Sequence, residues 1–69
     1  MLKQVHRYVA WNEEHEVQGS GARVTAEKNC QNEAEFMEQI PHYDRGLRYV
    51  TENGRSFREY YDKETGLWE

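Results

Sequence analysis

Three histidines and one cysteine, His6, His15, His42 and Cys30, are the side chains of this 69-residue chain best suited to holding a transition metal. Their spacing matches no compact zinc pattern and each belongs to a different stretch, so neither a metal nor another cofactor is expected. His42 stands beside Tyr43 and Asp44, an acid/base grouping on paper. No serine or cysteine nucleophile accompanies it in a recognisable motif, so no catalytic residue is assigned and a non-enzymatic chain is expected. Cys30 is expected to be a small core residue on the inner face of a helix rather than a reactive thiol.

The other chemistry-bearing residues are charged, and they are unevenly spread. From Asn12 to Asp44 eight acids face two bases, whereas Arg45 to Arg58 holds four arginines and one glutamate, within a net charge of −4. Such acidity disfavours direct nucleic-acid binding and fits a protein partner that presents a basic surface. Glu13, Glu14 and Glu16, joined by Glu27, Glu33, Glu35 and Glu38, could imitate a nucleic-acid backbone toward such a partner. A solvated surface that keeps a small protein in solution accounts for the same residues. Arg45, Arg48, Arg55 and Arg58, with Tyr49, Phe57 and Tyr60 as stacking platforms, form the alternative: a strip contacting phosphates, of the kind small nucleic-acid-binding or regulatory proteins use.

Positioning these residues falls to one small domain, residues 1–69, because a chain this short buries only about 60% of its unfolded surface. At 36% hydrophobic and 32% charged, with nine aromatics, the composition is globular and points to a small aromatic core. A lone cysteine rules out an intrachain disulfide and fits a reducing compartment. The N-terminus lacks the apolar core of a signal peptide and no run is long enough to span a membrane, so a soluble cytoplasmic protein is expected.

The surest element is a hairpin around Asn53-Gly54, flanked by Leu47–Glu52 and Arg55–Tyr61, both rich in β-branched and aromatic residues. A type I′ turn pairs Glu52 with Arg55, Val50 with Phe57 and Arg48 with Glu59 on one face; Thr51/Ser56, Tyr49/Arg58 and Leu47/Tyr60 fall on the other. Two opposite-charge pairs support that register. A turn from Asp62 to Gly66 returns the chain as a short strand, Leu67-Trp68, with Trp68 opposite Tyr61.

Upstream, Leu2 to Asn12 reads as a strand with both faces partly apolar, expected to pair on both sides, and Ala22 to Glu27 as its hairpin partner across an acidic, glycine-rich loop. Asn29 or Asn32 can cap an amphipathic helix of about three turns that Pro41 ends at Ile40, and Asn32 with Glu35 has the form of a capping box. Cys30, Ala34, Met37 and Ile40 are expected to line its inner face, with Phe36 at the flank. The expected class is α+β: a small antiparallel sheet in the chain order ββαβββ, with the helix packed on one face.

Neither face of the C-terminal hairpin is clearly polar, and one short helix covers only one of them. Because burying Arg48/Glu59 and Glu52/Arg55 would be costly, Leu47, Tyr49 and Tyr60 are expected inside. Val50, Phe57, Tyr61 and Trp68 are then expected outside as a protein-binding patch ringed by charge, which in a homodimer would meet its own copy.

The run Arg23–Glu27, an asparagine-rich cap and the helix Glu33–Met37 resemble the strand-to-helix passage of small phage-encoded inhibitors, among them anti-CRISPR proteins and phage inhibitors of bacterial RNA polymerase. The likeness covers the middle third of the chain and carries no functional residue across. It implies a small, acidic, cytoplasmic protein, encoded by a phage or mobile element, that blocks a host complex by occupying one of its surfaces. The extra strands and the Asp62–Gly66 turn depart from the simplest such folds.

Overall fold

The alternating residues of the N-terminal third build two long strands, and a computed structural model, which describes residues 2–15 and 21–69 apart from the His15 side chain, pairs them antiparallel. Strand β1 spans Lys3–His15 and β2 spans Ala22–Cys30. Helix α1, Glu33–Gln39, leads through a 3₁₀ turn at Ile40–His42 into β3, Arg45–Glu52, then β4, Arg55–Asp62, and β5, Leu67–Trp68. The five strands form one antiparallel sheet in the order β2-β1-β3-β4-β5, so β1 pairs on both sides. The fold is mostly sheet, with one short helix.

The hairpin register is the expected one throughout: Glu52 faces Arg55, Val50 faces Phe57, Arg48 faces Glu59 and Leu47 faces Tyr60. Asn53 and Gly54 both take positive φ, 54° and 77°, as a type I′ turn requires. Tyr61 faces Trp68 across the final turn, where Asp62 Oδ1 accepts from the backbone N–H of Glu64 at 2.9 Å. Asn32 caps α1 by accepting from Glu35 N–H at 2.8 Å, and Glu35 in turn accepts weakly from Gln31 N–H at 3.4 Å.

Two expectations about the N-terminal half are corrected. Glu13 and Glu14 lie within β1 rather than in a loop, because β1 continues past a bulge at Asn12/Glu13 and keeps pairing with Val24 and Arg23. Glu16 lies outside the described residues. Cys30 ends a strand, opposite Tyr8, instead of opening the helix. The helix is therefore shorter and its phase shifts: Phe36 and Ile40, four apart, turn inward, while Ala34 and Met37 are exposed.

The core forms between this helix and the sheet. Phe36 is fully buried, its ring 5.1 Å from Trp68, 5.4 Å from Tyr61 and 5.6 Å from Tyr8. Tyr8, Ala10, Cys30 and Ile40 complete the cluster, with Val5, Tyr43, Tyr61 and Trp68 packed against it. Ala10 and Gly46 are direct cross-strand partners. The single methyl of Ala10 and the lack of a side chain at Gly46 leave the space that Phe36 fills, since a Cβ at Gly46 would collide with its ring and come within 2.9 Å of Ile40 Cδ1. Among the described residues no helix is long and apolar enough to cross a membrane.

Candidate functional site

The helix covers the face that carries Val50, Tyr61 and Trp68, so the expected orientation of the hairpin is reversed. Val50 is 1% exposed, and Tyr61 and Trp68 are half-buried in the aromatic cluster. Phe57 shares that face beyond the reach of the short helix and remains 38% exposed. The charges thought too costly to place there are accommodated by position and pairing. Arg48 donates from Nε and Nη2 to Glu59 Oε1 at 2.8 and 2.7 Å, Lys3 donates to Glu59 Oε2 at 3.1 Å, and the Arg48 guanidinium lies 4.4 Å from the Trp68 ring centroid. Burial pushes the Glu59 carboxyl up, but the hydrogen bonds from Arg48 and Lys3 and their charges outweigh it, and its pKa lies below the ordinary 4.5.

With that face occupied, the opposite face is bare among the described residues. Cross-strand pairing sets its residues in rows running β1, β3, β4: Arg7, Tyr49 and Arg58 in one, Val9, Leu47 and Tyr60 in the next. Trp11 and Arg45 follow, with Glu27 beside Trp11 on β2. Val9 and Leu47 are only 6% and 7% exposed although no helix lies over them. Their neighbours do the covering: Trp11 meets Tyr60 edge-on at 6.5 Å, and Arg7 stacks 4.6 Å over the Tyr49 ring. A shallow depression of about 180 Å³ lies at the centre, between Arg7, Trp11, Val24, Glu27 and Tyr49. Tyr60 at 46% exposed, Val24 and Leu67 extend the apolar surface to its edges.

The acids expected to bind a partner are tied into this surface. Glu13 accepts from Trp11 Nε1 at 3.1 Å and pairs with Arg45 at 2.6 Å, and Glu14 pairs with Arg23 at 2.9 Å. A wider cleft of about 630 Å³ opens at that end of the sheet, lined by Asp44, Arg45, Asp62, Lys63, Glu64 and Glu69 among others. The four arginines do not form one strip. Alternation places Arg48 and Arg55 on the helix side, Arg45 and Arg58 on the bare side.

The metal candidates stay apart. His6, left over by the bulge between Val5 and Arg7, bonds Thr51 Oγ1 at 2.7 Å; His42 sits in the 3₁₀ turn; Cys30 is buried, and that burial, reinforced by the charge of Glu35, pushes its thiol above the ordinary 9.0. Among the described residues no three His, Cys, Asp or Glu side chains gather as a metal site. The side chain of His15 lies outside the described residues.

Val9, Trp11 and Arg7 are absent from the expected site; of the residues expected inside, Leu47 is buried, though on the face opposite the helix, whereas Tyr49 is half-buried and Tyr60 exposed. One signal could have found them: Ala10 and Gly46, the two small residues, mark the side that a helix approaches, and Val50 and Tyr61 share their parity. Comparison of the chain with protein-family models, with curated proteins and with solved structures gives no match.

Proposed function

We propose that this chain is a small, non-enzymatic α+β binding module whose bare sheet face docks against another protein surface and occludes it. The observation that carries this reading is the aromatic surface of Trp11, Tyr49 and Tyr60 closed over buried Val9 and Leu47, away from the helix and bordered by Arg7, Arg58, Glu13 and Glu27. Tryptophan, tyrosine and arginine around a dry centre are the residues that dominate protein interfaces. The likeness to small phage inhibitors supports occlusion of a host complex in the cytoplasm as the outcome of docking. Charge mimicry is the lesser contributor, because Glu13 and Glu14 are already paired with arginines. The phosphate-strip reading is weaker still, since two of its four arginines face the helix side and Arg45 holds Glu13.

A photo-crosslinking residue placed at Tyr60 should yield polypeptide adducts in native host cells, while the same residue at Arg55, on the helix side, should yield none. Adducts at Arg55 alone, or adducts to nucleic acid at Tyr60, would overturn the docking face.

A further inference from the structure

We infer that in the free protein the bare face is covered by a second copy of this chain, stacked with its strands antiparallel to the first, which a docking target displaces. The inference rests on the docking reading above and adds what covers the face before a target is met. The face is electrically polar along the strands. Arg7 and Arg58 lie toward the β3–β4 turn; Glu27 and Asp62 lie at the other end, where Arg45 is engaged by Glu13. A uniformly basic partner would meet Arg7 and Arg58, and a nucleic acid would meet the acidic end. The surface that complements both ends is this face turned end for end.

A two-fold axis in the interface plane, running across the strands near Val9, Leu47 and Tyr60, performs that operation. It sets the apolar row on itself, places Arg58 over Asp62 of the second copy, and brings Arg7 over Trp11 of the second copy, beside Glu27. Tyr49 then meets Arg45 of the second copy. An axis along the strands would instead set the row of Arg7 and Arg58 on the same row of the second copy, cation against cation. The result is a sandwich of two sheets about 10 Å apart, each with its helix outside, in which Val9 and Leu47 become core.

Sedimentation equilibrium of the purified chain tests this between about 1 µM and about 1 mM, the range in which a small interface assembles. Monomer at the lower limit and dimer at the upper, with weaker association in high salt, is expected. Arg7→Glu and Glu27→Arg should each weaken association about tenfold, and an equimolar mixture of the two should restore it, because each reversed charge then finds its opposite. Restoration on mixing separates the effect from misfolding, and circular dichroism checks each variant. A wild-type chain that stays monomeric at about 1 mM would overturn the second copy; the adducts at Tyr60 would then still decide whether the face docks another protein. A dimer that the single reversals leave intact, or that mixing does not restore, would overturn the antiparallel arrangement.

Discussion

Glu59 shows how a carboxylate can sit beside an apolar cluster. Its two oxygens are divided between Arg48 and Lys3, and its side chain is 17% exposed at the margin of the region the helix covers. Because the folded pKa lies below the ordinary 4.5, the ionised form stabilises the fold above that pH, and the contribution is lost as pH falls through the lowered value. Glu59→Gln should therefore destabilise the chain in urea melts at neutral pH, with the difference from wild type shrinking as the wild-type carboxyl protonates in acid. A difference independent of pH would mean that shape, not charge, holds this corner. Solvent screening keeps the effect modest.

At the scale of elements, everything turns on the contact between α1 and the centre of the sheet. Phe36 reaches past Ala10 and Gly46 to Tyr61 and Trp68, which a helix can do only over residues without bulk. Gly46→Ala should cost about 1–3 kcal/mol, the usual penalty for overpacking, and lower the melting temperature by several degrees or more. An unchanged melting curve would contradict so close an approach. The hairpin was readable from sequence because Asn53-Gly54 fixes the register locally and the pairs across it agree. The capping of α1 by Asn32 was readable for the same reason. Which face turns inward was not, since that is settled by a helix distant in sequence, and the cost assigned to Arg48 and Glu59 assumed full burial where the structure gives them mutual hydrogen bonds at a margin. The run from Ala22 to Cys30 was cut short because pairing with β1, rather than local pattern, carries the strand as far as Cys30.

Among the described residues, one short helix on a five-stranded sheet leaves a second face with aromatic residues and no covering element. That imbalance is the source of the functional reading. Val50 is buried and Tyr61 and Trp68 half-buried where exposure was expected, and Tyr60 is open where burial was expected, while Leu47 is buried and Phe57 exposed as expected. The central claim is that the bare face, not the helix side, is the working surface. Hydroxyl-radical footprinting of the chain at about 1 µM, where it is monomeric, in buffer and in native host extract tests it most directly. Tyr60 on the bare face and Phe57 and Met37 on the helix side are comparably exposed, at 46%, 38% and 37%, and serve as internal controls for one another. Tyr60 and Trp11 should lose oxidation in extract while Phe57 and Met37 keep theirs; protection of Phe57 and Met37 with Tyr60 unchanged would contradict the account.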